Sequence, residues 1–321
     1  MKDIFSTILS VTILFVILTS NTIAQGCCTA GSSTFGGLER GISKISNLQL
    51  GVGFINTSLN TTFDGREEIP DPLNRTSSVS SFNLELEYGI ADRVSLLVSG
   101  YYSIKNRETT VRSNIDNSKE VINFEGKGIG DVIILGKYEI ITPTILAPLG
   151  LTLGGGVKLP VGSYTQEVDG SRLAIDLQPG TGSTDVLLWG NFYKGFQPIS
   201  LAFFITTLYR YAGSNLDGYR FGDEFIFSLG GEYYFLDYLT FSLSARGRIA
   251  AEDYWGGRFL PSTGGTYYDL LPAIIYSEGS YNLKLFYQTP IYRNVQGIQL
   301  TSSSIIGVEL LFNFNLFKDE I

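Results

Sequence analysis

The sequence predicts an all-β protein: a transmembrane antiparallel β-barrel of about 12 strands, with short periplasmic turns and long extracellular loops. Three observations carry this. The chain divides into twelve short segments that alternate apolar and polar residues, each roughly the ~10 residues a tilted strand needs to cross a bilayer core. The links between them are long and short by turns, whereas a soluble sandwich has shorter strands and no such rhythm. Gly 37, Tyr 19 and Phe 21 are abundant and charged residues make up only 17%, a composition that supplies the aromatic girdles of a membrane barrel.

Before the first segment, residues 1–24 read as a signal peptide: Lys2 gives a positive start, Ile8 to Leu18 an apolar run, and Thr22-Ile23-Ala24 a small-residue cleavage site. Beyond it no stretch approaches the eighteen apolar residues of a spanning helix. Residues 25–45 are glycine-rich, lack a strand pattern, and form a flexible segment suited to entering the lumen as a partial plug. Cys27 and Cys28 are adjacent, so they cannot join distant parts of the fold; lipidation of Cys27, a disulfide between the two, or two free thiols are the alternatives. The barrel occupies 46–317, and 318–321 form a C-terminal tail.

By alternation, strands fall near Ser46 to Thr57, Ser80 to Gly89, Arg93 to Ile104, Gly128 to Ile140, Leu149 to Leu159 and Ser183 to Lys194. They continue at Ser200 to Ala212, Phe221 to Phe235, Leu239 to Glu252, Thr266 to Tyr276, Tyr281 to Tyr292 and Leu300 to Phe314. Short links at Ile90 to Asp92, Pro143 to Pro148, Gly195 to Pro198, Leu236 to Tyr238 and Gly279-Ser280 lie on one side. The longer polar links, Leu59 to Val79, Lys105 to Lys127, Pro160 to Gly182 and Asp253 to Gly265, lie on the other.

Within the strands, Phe82, Leu84, Leu86 and Tyr88 alternate with Asn83, Glu85 and Glu87, and Phe241, Leu243, Ala245 and Ile249 alternate with Ser242, Ser244, Arg246 and Arg248. An arginine or lysine facing lipid at the midplane costs about 2–4 kcal/mol, so the charged set faces the lumen. The last strand repeats the pattern, and its Gly307-x-x-Leu310-x-Phe312 resembles the C-terminal assembly signal of outer-membrane barrels, with the usual terminal aromatic displaced because Lys318 to Ile321 follow Phe317.

Three glycine motifs, Gly128-Ile129-Gly130-Asp131, Lys158-Leu159-Pro160-Val161-Gly162 and Pro179-Gly180-Thr181-Gly182-Ser183-Thr184-Asp185, fall at corresponding places on neighbouring strands. None leads into a helix with a phosphate-loop lysine. Placed on the barrel, they bring Asp131, Lys158 and Asp185 to one height near the outer rim as a negative, positive, negative triad. Arg210, Glu224, Arg246, Arg248 with Glu252, and Asp269 extend it into an alternating belt. A looser lower group comprises Glu85, Glu87, Lys137, Glu139, Glu232, Lys284 and Glu309, with the same-face pair Glu85 and Glu87 read as a solvated lumen lining. Two roles are open to these charges: mutual satisfaction in a rigid wall, or a constriction that screens a polar solute group.

The Gly-x-Gly-Asp followed by Lys137-Tyr138, the Lys-Leu-Pro-x-Gly and the Pro-Gly-Thr-Gly-Ser-x-Asp resemble the MetA-pathway of phenol degradation family of outer-membrane β-barrel transporters, over roughly Ile45 to Phe317. The opening Cys27-Cys28-Thr29-Ala30-Gly31 is similar to a subset of it. The resemblance implies uptake of small, often aromatic or hydrophobic compounds.

Net charge −8 with no basic stripe argues against nucleic acid. With His 0, the general base of most outer-membrane hydrolases is missing, and no enzyme, cofactor or metal site is expected. The expected function is passive uptake of a small solute through the outer membrane of a Gram-negative bacterium, with outer-membrane lipid, the assembly machinery and the solute as partners. The alternative is a structural or surface-interaction barrel with a filled lumen whose loops bind a partner.

Overall fold

The computed structural model describes Leu38 and residues 40–71, 73–112 and 119–316. The signal peptide, Cys27 and Cys28, the plug segment up to Gly37, and the tail 318–321 lie outside the described residues.

The chain forms a closed antiparallel barrel of 12 strands. Numbered as barrel strands, they are β1 (Asn47–Asp64), β2 (Thr76–Ala91), β3 (Val94–Arg112), β4 in two arms (Val132–Ile141 and Lys119–Ile129), β5 (Leu149–Leu159) and β6 (Asp185–Phe196). The second half contributes β7 (Leu201–Tyr211), β8 (Glu224–Leu236), β9 (Leu239–Ala250), β10 (Gly265–Glu278), β11 (Tyr281–Val295) and β12 (Ile298–Asn315). Every strand pairs with its neighbour in sequence, and β12 closes on β1 from Asn47↔Asn315 to Asp64↔Ile298, so no long edge of the sheet is left open at that seam.

The dyad sorts as the sequence requires. Asn83, Glu85 and Glu87 are buried, whereas Phe82, Leu84 and Leu86 on the same strand are exposed; Arg246 is buried and Phe241, Leu243 and Ile249 are exposed. Apolar side chains therefore cover the outside, which is the inverse of a soluble fold and fits lipid. Exposed aromatics gather at the two ends: Tyr138, Tyr233, Phe241 and Phe314 near the short turns, and Tyr102, Tyr209, Tyr211 and Phe225 near the loops. Bilayer interfaces favour these amphipathic rings.

Turn chemistry explains the tight end. Arg93, Ser200 and Gly279 take positive φ, closing the β2–β3, β6–β7 and β10–β11 turns with little chain. At the other end, strands reach further than alternation indicates. The link expected from Lys105 to Lys127 is largely a hairpin, because β3 runs to Arg112 and pairs with Lys119–Ile129 through Arg112↔Lys119. Its polar sequence has no lipid to face above the membrane, so it carries no apolar face to read. Between its two arms, β4 is broken at Gly130-Asp131, and only the lower arm pairs with β5.

Because Leu84 lies on the lipid side, Leu84→Arg should lower stability by about 2–4 kcal/mol. Urea unfolding of protein folded into liposomes measures this, with Asn83→Ser on the lumen side as the milder control.

Candidate functional site in the barrel lumen

The three glycine motifs meet at the loop end of the lumen. Lys158 bridges Asp131 and Asp185 at 2.9 Å each, as the sequence triad requires. Arg210 then bridges Asp185 and Glu224 at 3.0 Å each, and Arg248 reaches Glu224 at 2.5 Å. The result is one continuous line of alternating charge, Asp131, Lys158, Asp185, Arg210, Glu224, Arg248, carried on six successive strands. It continues through Tyr267, whose ring lies 4.9 Å from the Arg248 guanidinium and 5.5 Å from that of Arg293, and ends at Asp269, 2.5 Å from Arg293.

The belt departs from the sequence reading at Glu252 and gains Arg293. Glu252 takes no part in this line among the described residues, because β9 ends at Ala250 and Arg248 turns to Glu224 instead. Arg246 lies opposite Asp269 in the β9–β10 register, and Arg293 also reaches that aspartate, from β11, in an ion pair. Arg293 escaped notice because a bulge at Tyr268/Asp269 shifts β11 by one residue and reverses its inward parity. A Pro290 in mid-strand was the available signal.

The belt also holds the roof. Asp131 accepts hydrogen bonds from the backbone N–H of Gly162 (3.2 Å) and Thr181 (3.0 Å), while Lys158 also contacts the Thr181 hydroxyl. These bonds fold the link 160–184 across the mouth. Its single turn, Ile175–Leu177, is seated by Lys105, which donates to the carbonyls of Asp176 and Gln178 (3.1 and 2.8 Å), and by an Arg107–Asp176 ion pair. Gly126 permits the approach, since a Cβ there would overlap the Leu177 carbonyl.

One layer below the belt the lumen wall turns apolar. Leu97, Leu135, Leu187, Trp189, Leu208 and Ile226 point inward and enclose Leu38 of the N-terminal segment. Trp189 donates its indole N–H to the Leu38 carbonyl at 2.8 Å. The segment then descends past Lys137, which donates to the carbonyls of Arg40 and Gly41 (3.3 and 3.1 Å) and pairs with Glu87 at 2.9 Å. Glu87 in turn accepts the Ser43 N–H at 2.9 Å and the Ser95 hydroxyl at 2.6 Å. Near the exit the segment passes so close to β2 that a Cβ on Gly89 would collide with the Lys44 carbonyl. The apolar layer was legible as runs in which alternation lapses, such as Ser95-Leu96-Leu97-Val98 and Val132-Ile133-Ile134-Leu135.

The lower group separates accordingly. Glu85 and Glu87, read as a solvated lining, are 3% and 2% exposed, because the N-terminal segment and the barrel wall cover them. Glu139, Glu232, Lys284 and Glu309 instead border an open vestibule of about 890 Å³ at the turn end. Lys284 and Glu309 face each other there across β11 and β12. A chamber of about 100 Å³ remains at belt level, between Leu38 below and the Ile175–Leu177 turn above.

Outside the roof, Asp71 in the β1–β2 loop binds Arg75 at 2.5 Å. Burial alone would raise its carboxyl, but hydrogen bonds from Arg75, Thr62 and the Leu73 backbone prevail and hold it down at about 2. Its stabilising contribution is therefore complete above about pH 4 and lost as pH falls through 2.

No protein-family model matches the chain, and no curated protein matches it. Among solved structures, the COG4313 outer membrane channel from Pseudomonas putida F1 is similar with a TM-score of 0.63 at 11% identity, over 88% of this chain and 100% of that one. The NanC porin (TM-score 0.42, 12% identity, 83% and 98% covered) and a Pseudomonas aeruginosa FadL homologue (0.41, 10%, 92% and 98%) are more distant. The likeness to the COG4313 channel shows the barrel fold, and the family resemblance rests on the three glycine motifs.

Two outcomes are expected. Arg210→Met removes the cation shared by Asp185 and Glu224, leaving each with one partner, and should lower stability by about 3–5 kcal/mol in urea unfolding, with Arg210→Lys recovering part of the loss. Hydrogen-exchange protection of the Leu73 and Arg75 amides, which donate to Asp71, should persist at pH 5 and disappear at pH 2.

Proposed function

We propose that the protein is an outer-membrane channel for passive uptake of a small solute of aromatic or otherwise apolar character, oriented with its short turns in the periplasm. The observation that carries this reading is the apolar layer around Leu38: beneath the belt, leucines, Ile226 and Trp189 pack on Leu38 inside the lumen. Such a wall offers a hydrated ion or sugar nothing in exchange for its water, and apolar constrictions close by dewetting. A solute that carries little water meets no such barrier.

In this reading the N-terminal segment is a removable plug. Below Leu38 it is held by backbone hydrogen bonds to the Lys137–Glu87 pair. Shifting it joins the belt chamber to the vestibule. The belt charges, already engaged with one another, serve as a rigid collar. Lipid of the outer membrane, the assembly machinery and the solute are the partners, and with no histidine in the chain the work is passage rather than chemistry.

The packed lumen also favours a second reading, a filled structural barrel displaying its loops. Deletion of Gly31 to Gly41 separates the two. Single-channel conductance in planar bilayers should rise, and liposomes carrying the shortened protein should admit neutral aromatic solutes faster than the full chain does. Failure of both proteins to admit aromatic or sugar solutes would refute the channel and leave the filled barrel.

A further inference from the structure

On the outer side of the roof lies a second large cavity, of about 800 Å³, walled by chain from every long link of the first nine strands. Its apolar surface is made by Leu73, Phe124, Leu173, Ile175 and Trp255. The size falls within the range of roughly 300–1,000 Å³ typical of small-molecule sites. We propose that this cavity is a capture site for one uncharged aromatic or cyclic apolar molecule, held outside the Ile175–Leu177 turn before it enters the lumen. The proposal rests on the transport reading and adds a site to it.

Three observations converge. First, each cation of the wall is already answered: Arg75 by Asp71, Arg107 by Asp176, and Arg172 by Asp217 at 2.6 Å. An anionic guest must break one of these pairs to gain one, whereas an uncharged guest leaves all three intact and displaces water from the apolar surface. Second, the cavity is preformed. Trp255 donates its indole N–H to the Asp217 carbonyl at 3.1 Å, and Arg220 and Tyr254 exchange backbone hydrogen bonds, so the β7–β8 and β9–β10 loops form one wall, to which the Arg172–Asp217 pair ties the 160–184 link. The Trp255 indole stays half exposed at the edge of the cavity, an aromatic surface open to a guest. Third, the site is in line with the lumen. Ile175 and Asp176 border both this cavity and the belt chamber, so a single turn of chain separates them.

The chain has two tryptophans, Trp189 in the lumen beneath the belt and Trp255 in this cavity, and each serves as a local reporter. Full-length Trp189→Phe protein in lipid nanodiscs is titrated with N-phenyl-1-naphthylamine, an uncharged aromatic that accepts tryptophan emission, with naphthalene-2-sulfonate as the anionic counterpart. Trp255 emission should quench saturably with the amine and not with the sulfonate. Ala174→Phe and, separately, Ser171→Phe, at exposed lining positions, should each raise the half-saturation concentration by roughly tenfold, since a bulky side chain overfills the space. Retained heat-modifiable mobility on gels confirms that each variant is folded. Non-saturable quenching, equal quenching by the sulfonate, or indifference to both substitutions overturns the proposal. Parallel uptake of a neutral naphthalene into liposomes tells the two claims apart: uptake without a saturable Trp255 site overturns the capture site alone, and a saturable site without uptake overturns the channel alone.

Discussion

A charge inside a membrane barrel has two ways to avoid lipid, to face the lumen and to be answered there by an opposite charge. The line from Asp131 to Arg248 meets both conditions at once, and much of the remaining structure hangs on it. Strand register has a period of two, so sliding any one of β5 to β8 by a single residue would turn its charge outward and deprive two neighbours of a partner. The pairs therefore act as pins for register as well as contacts. Opposite-charge pairs of this kind are weak evidence for net stability, because desolvation offsets most of the attraction. Their effect is larger as a penalty against every alternative alignment.

The same groups set the shape of the lumen. Asp131 has oxygens to spare after meeting Lys158, and it uses them to take the N–H groups of Gly162 and Thr181, drawing the 160–184 link inward. Lower down, the Lys137–Glu87 pair has donors and acceptors left over in the same way, and the backbone of the N-terminal segment supplies their partners. Most buried polar groups find hydrogen-bond partners within the protein or in ordered water. In this barrel the surplus capacity of two ion-paired clusters recruits the two pieces of chain that narrow the pore, one from each end.

How much of this could be read from residues alone follows from which of them obey a simple period. β5 coincides with its expected span, Leu149–Leu159, because its alternation is bounded by Pro148 and Pro160. The triad was legible because Asp131, Lys158 and Asp185 sit beside turn glycines that fix their height. Arg293 was not, since a bulge broke the count, and Glu252 was overcounted because nothing in the local pattern marks the end of β9 at Ala250. The upper arms of β3 and β4 were taken for loop since, above the bilayer, a strand has no lipid to demand an apolar face. Leu97 and Leu135 had a visible signal, the lapse of alternation, whose meaning depends on Leu38, more than fifty residues before the nearer of them.

These features bear on where discrimination between solutes resides. A belt whose members satisfy one another presents little net field to a passing molecule, and substituting the solute for a protein partner would cost a buried pair. Selection by charge therefore falls poorly to the belt, although the belt is where the charges are. The adjoining apolar layer has the opposite character: it carries no charge and packs on a single leucine of a segment held through its backbone. In the proposed channel, discrimination by hydration would therefore fall to the layer around Leu38, beneath a collar of charge that holds six strands in register.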